Sequence, residues 1–127
     1  MNTESFCNLI GGQCQAGDAT MDVRNPATGE VFAQSPKADE AQLNAAVTAA
    51  TNAFSAWTAT PIGERKEVLK TIAETIEENV DELALLFTRE HGRPVPAARA
   101  ELLGAAMWLK ATTMLDIPVD VTEDTDD

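Results

Sequence analysis

Four sets of residues in this chain carry side chains that could do chemistry: two cysteines, one histidine, a run of acids and the arginine that follows it. Cys7 and Cys14 are the only cysteines. They form no CxxC pair, and no histidine lies near them in sequence, so the ligand spacing of a metal site is missing. Two cysteines alone seldom build a disulfide framework, which leaves two free thiols in a reducing compartment as the reading. His91 is the only histidine. It precedes Gly92 at a helix end, where a cation near the negative pole of the dipole is explanation enough. No nucleophile stands at a spacing that would make it a general base. Glu74, Glu77, Glu78, Asp81 and Glu82 follow steps of three and one along a helix, the pattern of a solvated face rather than a cation cage. Arg93 beside Pro94 reads as a helix-end cap rather than an anion clamp. Gly11-Gly12 has neither a GxGxxG nor a GxxxxGK[ST] frame and no helix follows it, so it reads as a turn, not a phosphate cradle. From these residues alone, none is assigned a catalytic, cofactor-binding or metal-binding role.

Composition narrows the classes. A chain of 127 residues is about one domain, and 44% hydrophobic residues exclude a disordered chain. Nine basic residues against 21 acidic ones give a net charge of −12. Six of the acids lie within 116–127, which holds no Lys or Arg. Such a field repels phosphates, so neither nucleic acid nor an anionic membrane is an expected partner. Met1–Phe6 carries Glu4, no basic residue and no apolar run after it, unlike a signal peptide. No stretch reaches the ~20 apolar residues of a bilayer span. The expected location is cytoplasmic.

The elements that would position those side chains are organised around residues 63–94. Val68, Leu69, Ile72, Ile76, Val80, Leu83 and Phe87 recur three or four apart and define one helical face. Glu67, Lys70, Glu74, Glu77, Glu78, Asp81 and Glu82 fill the other. The stretch is a helical hairpin or one bent helix, with Asn79 marking the bend and Gly92 and Pro94 ending it. Before it, Leu43, Val47, Ala50, Phe54 and Trp57 form a narrow apolar stripe on a helix from about Asp39 to Ala59, expected to be core. Six alanines between Ala45 and Ala56 would let a neighbouring helix come close. After it, Pro96 opens a last helix reaching about Leu115, with Leu102, Leu103, Ala106, Trp108 and Leu109 as its apolar content. At the front, Asn8-Leu9-Ile10 runs into the Gly11-Gly12 turn and Gln13–Thr20 is polar and loop-like. Two alternating runs, Met21–Arg24 and Val31–Ala33, then flank Asn25–Glu30 as a hairpin. The expected fold is mainly α with an N-terminal β-hairpin, an α+β arrangement. Residues 1–37 form the hairpin region, 38–115 the helical region of the same single domain, and 116–127 an acidic tail expected to be disordered.

Several of these pieces also resemble, in order, the amino-terminal part of the NAD(P)-dependent aldehyde dehydrogenase family. Ile10-Gly11-Gly12 resembles its opening "IGG" strand end. Asn25-Pro26-Ala27-Thr28-Gly29-Glu30 matches its "NPATGE" turn at every position. Ala45-Ala46-Val47 through Ala53-Phe54 and Trp57 resembles "AAV…A…AF..W", and Glu64-Arg65 with Leu69, Ile72 and Ala73 resembles "ER…L..IA". Glu90-His91-Gly92-Arg93-Pro94 resembles "E.GKP", with Arg93 in place of Lys, and Ala98–Glu101 resembles the "A..E" that follows. Cys14 stands where the family often has an aromatic residue. The resemblance covers roughly residues 8–115.

The resemblance implies the N-terminal portion of the α/β aldehyde dehydrogenase fold. It also implies a parent reaction in which a cysteine thiolate attacks the aldehyde, hydride passes to nicotinamide and a glutamate-activated water releases the acid. The proline-tryptophan-asparagine loop, the nucleotide-binding strands, the glutamate base and the nucleophilic cysteine are not among these residues. Cys7 and Cys14 match no catalytic context. No catalytic residue is carried over, and no cofactor is expected on this segment alone, although NAD or NADP is implied for the full-length family. Some members hold a monovalent cation, for which Val23 or Arg24 and Glu101 are the nearest positions. The segment is scaffold in the family, so the expectation is a piece that is inactive alone and exposes an apolar surface. Its partner would be the remainder of an aldehyde dehydrogenase chain, or a second copy through self-association. The alternative is a stand-alone helical interaction module derived from that scaffold.

Overall fold

The computed structural model describes residues 6–118 and 122. Strand β1 (Asn8–Ile10) turns at Gly11-Gly12 and pairs antiparallel with β2 (Gln13–Gln15), both turn glycines having positive φ (59° and 78°). Such a turn needs left-handed backbone at both central positions, which glycine takes without steric cost. A second hairpin joins β3 (Ala19–Arg24) to β4 (Val31–Lys37), with a register shift between Val23 and Arg24. The expected single hairpin is thus two: the polar segment after Gly12, read as loop-like, supplies β2 and the start of β3. A strand with both faces open can be polar throughout, so alternation does not reveal it.

Four helices follow. In α1 (Glu40–Ala59), the Asp39 carboxylate accepts the Gln42 amide at 2.7 Å, an N-cap that satisfies one of the orphan donors. Helix α2 (Ile62–Glu78) and helix α3 (Val80–His91) share a boundary at Asn79, where the expected bend lies. Gly92 ends α3 with φ 76° and its amide donating to the Thr88 carbonyl at 2.9 Å. Pro96 occupies the first turn of α4 (Val95–Thr113), which closes two residues short of the expected Leu115.

Helix α4 packs back along α2 and α3. What lets it approach is alanine: Ala73, Ala84, Ala98 and Ala106 have no exposed surface. Val80 and Thr113 are buried beside them, and Leu69, Ile76, Leu83, Phe87, Leu102, Leu103 and Leu109 are half-buried. Lys110 pairs with Glu77 at 2.6 Å and Arg99 with Asp81 at 2.8 Å across the seam, while Lys66 Nζ donates to the Leu115 carbonyl at 2.7 Å. These pairs are largely solvated and add at most about 1 kcal/mol each. Val68 and Ile72, expected on the buried face, stand 45% and 44% exposed because α4 covers only one side of α2. The acidic-tail reading falls mainly on 119–121 and 123–127, outside the described residues.

An alanine seam has no room for a larger side chain. Ala73→Leu is expected to lower stability by about 1–3 kcal/mol, read as a fall in the urea midpoint. An unchanged midpoint would show that the α2–α4 contact is looser than described.

Candidate functional site

The chemistry-bearing side chains lie apart. His91 is exposed and meets Phe87 edge-on, ring centroids 5.3 Å apart. Glu74, Glu78 and Glu82 are exposed, whereas Glu77 and Asp81 serve the helix pairs described above. Arg93 does not cap its helix as expected: its guanidinium pairs with the Glu101 carboxylate, which α4 brings alongside. Arg24 is held by Asp22 at 2.8 Å and reaches the Gly29 carbonyl at 3.3 Å. Among the described residues no three His, Cys, Asp or Glu side chains gather as a metal would require. None of their helices is long and apolar enough to cross a membrane.

The cysteines depart most from expectation. Cys7 and Cys14 are not free thiols but are joined as a disulfide, their Cα atoms 5.4 Å apart. The cause is the turn. Gly11-Gly12 sets Ile10 opposite Gln13 and Leu9 opposite Cys14, so Cys7, two residues before Leu9, lies diagonal to Cys14 on the same face. The signal was present in the sequence as two cysteines flanking a two-residue turn.

Two recognisable segments do meet. The turn at 25–30 is tied by the Gly29 amide to the Asn25 carbonyl at 2.7 Å, the Asn25 amide to the Glu30 carbonyl at 2.9 Å and the Ala27 amide to Asn25 Oδ1 at 2.9 Å. Its Pro26 lies against Gly92: a Cβ on Gly92 would come within 2.9 Å of Pro26 Cγ. Nearby, the Arg89 guanidinium sits 4.3 Å from the Phe32 ring centroid, binding β4 to α3.

The largest feature is apolar and uncovered. Leu43, Val47, Phe54 and Trp57 of α1, expected as core, are 60%, 59%, 66% and 46% exposed. No residue of α1 is buried, because the helix rests on β1 and no other helix lies along it. Met107 and Trp108 of α4, with Met114, Leu115 and Ile117 beyond it, are at least 60% exposed. Burying a large apolar side chain is worth roughly 1.5–3 kcal/mol, and with these four about half to two-thirds open, about 3–7 kcal/mol of burial is unrealised on α1 alone. Patches of this kind mark interaction surfaces. The largest uncovered apolar surface among the described residues is therefore carried by α1 and by α4 with the residues just beyond it.

Comparison with known proteins gives the face a context. The four helices and two hairpins match an N-terminal fragment of the aldehyde dehydrogenase fold. An NAD-dependent benzaldehyde dehydrogenase from Corynebacterium glutamicum superimposes with TM-score 0.78 and 34% identity, over 83% of this chain and 24% of that one. An aldehyde dehydrogenase from Brucella melitensis biovar abortus 2308 gives TM-score 0.82 and 33% identity over 87% and 23%. In sequence, the chain is 40% identical to a malonate-semialdehyde dehydrogenase of Halalkalibacterium halodurans across 101 residues, 78% of this chain and 21% of that protein. The family model described as "Aldehyde dehydrogenase family" matches residues 14–116, and the chain belongs to that family. It spans between a fifth and a quarter of the length of these relatives.

The Pro26–Gly92 contact separates two glycines of equal backbone. Gly29 (φ 75°) has open space around it, whereas Gly92 (φ 76°) does not. Gly92→Ala is expected to cost upward of ~1 kcal/mol and clearly more than Gly29→Ala, measured by chemical denaturation. Equal losses would mean that the turn does not bear on the helix end.

Proposed function

We propose that residues 8–115 act as the N-terminal scaffold of an NAD(P)-dependent aldehyde dehydrogenase and supply no catalytic group themselves. The observation that carries this reading is the apolar face of α1 and α4, left open in a chain whose matched part spans between a fifth and a quarter of its relatives. In such an enzyme the remaining residues cover that face and contribute the nucleotide site, the thiolate nucleophile and the base. The cofactor of the whole enzyme is NAD or NADP, and its substrate is an aldehyde. Cys7 and Cys14 are not read as the nucleophile, because neither stands in a catalytic context of the family and each lies against the other in the first hairpin. The reading also places the chain in the cytoplasm, where thiol reductants hold most cysteine pairs open.

The test is aldehyde-dependent formation of reduced nicotinamide by the purified chain, alone and mixed with the separately produced remainder of an aldehyde dehydrogenase. No turnover alone and turnover in the mixture is the expected result. Turnover above blank by the chain alone at saturating cofactor would contradict the assignment.

A further inference from the structure

The Cys7–Cys14 bond occupies a mechanical position that the scaffold role does not use. Helix α1 rests on the hairpin that this bond closes. Ala49 Cβ lies 3.6 Å from the point where a side chain on Gly11 would begin, and Gln42 Nε2 donates to the Ala16 carbonyl at 2.7 Å. Ile10 of β1 is the one buried apolar side chain of the two hairpins among the described residues. On its other side the hairpin meets the body of the protein: Cys7 and Asn8 line a cleft of about 260 Å³ with Val23, Phe32, Leu86 and Glu90. The hairpin is thus the element on which α1 rests, and Cys7 and Asn8 face α3 across this cleft. The hairpin is three residues on each side, a length that seldom holds together unaided.

We propose that the Cys7–Cys14 pair is a redox-sensitive clasp: oxidised, it fixes the β1–β2 hairpin and seats α1; reduced, it lets α1 and its apolar stripe come away from the body. Cys14 is exposed and Cys7 half-buried, so a reductant reaches the Cys14 sulfur first. One thiolate of a dithiol reductant attacks Cys14 Sγ, the S–S bond breaks, and Cys7 leaves as thiolate while a mixed disulfide forms on Cys14. The second thiolate of the reductant displaces Cys14 and departs as a cyclic disulfide. Two electrons and two protons end on the two cysteines, and an oxidised disulfide of the glutathione type reverses the sequence.

This inference does not depend on the enzyme assignment, because its readout is the protection of one helix. The purified chain is equilibrated with oxidised glutathione or with dithiothreitol, and hydrogen exchange is followed by mass spectrometry. Reduction is expected to speed exchange in 40–59 severalfold while α2–α4 keep their protection. The Cys7→Ser/Cys14→Ser double variant should exchange like the reduced chain and ignore the redox buffer. Equal α1 protection in both buffers would overturn the proposal. So would alkylation of both cysteines under oxidising conditions, or loosening spread evenly over all four helices.

Discussion

The alanine seam between α4 and the α2–α3 pair is the constraint on which the rest of the structure depends. Ala73, Ala84, Ala98 and Ala106 are fully buried there, and their small side chains let the helix backbones approach closely. The same economy of volume means that no large side chain is fully buried among the described residues. A bundle held this way gains only part of the apolar burial that a domain of its length ordinarily has. Larger residues, Leu43, Phe54 and Trp57 of α1 and Met107 and Trp108 of α4, are left exposed.

The β3–β4 hairpin attaches to α3 near its C-terminal end. Pro26 in the 25–30 turn fills the space that a side chain on Gly92 would need, and Arg89 lies over Phe32 a turn earlier. The two segments that most clearly carry the family resemblance are therefore in contact, and the glycine between His91 and Arg93 has two jobs. It takes the left-handed backbone that ends α3, and it leaves room for the turn. Arg93 then reaches Glu101 on α4, so the helix end, the turn and the last helix are tied within a few residues. These contacts tie the second hairpin to the end of α3 and the start of α4.

Much of this was legible in the sequence. The helical period across 68–87, the break at Asn79, the Gly92 stop and the 25–30 turn all follow from local rules, and the structure has each. What was not legible depends on the absence of a neighbour. The α1 stripe has the spacing of a core helix, and spacing says that a face is meant to be buried, not by what. The partner of Arg93, Glu101, lies eight residues on in the next helix, beyond the reach of capping rules. The disulfide required knowing that the turn at Gly11-Gly12 continues into β2, which its polar residues conceal.

The account's central claim is that the α1 and α4 faces are an interface covered by the rest of an aldehyde dehydrogenase. Trp57 and Trp108 report on it directly, being 46% and 68% exposed on the two faces. The most direct measurement is collisional quenching of tryptophan fluorescence by acrylamide, on the chain alone and after addition of the remaining part of such an enzyme. The account predicts ready quenching alone, and blue-shifted, shielded emission in the complex. Tryptophans equally accessible in both states, or already shielded in the isolated chain, would contradict it.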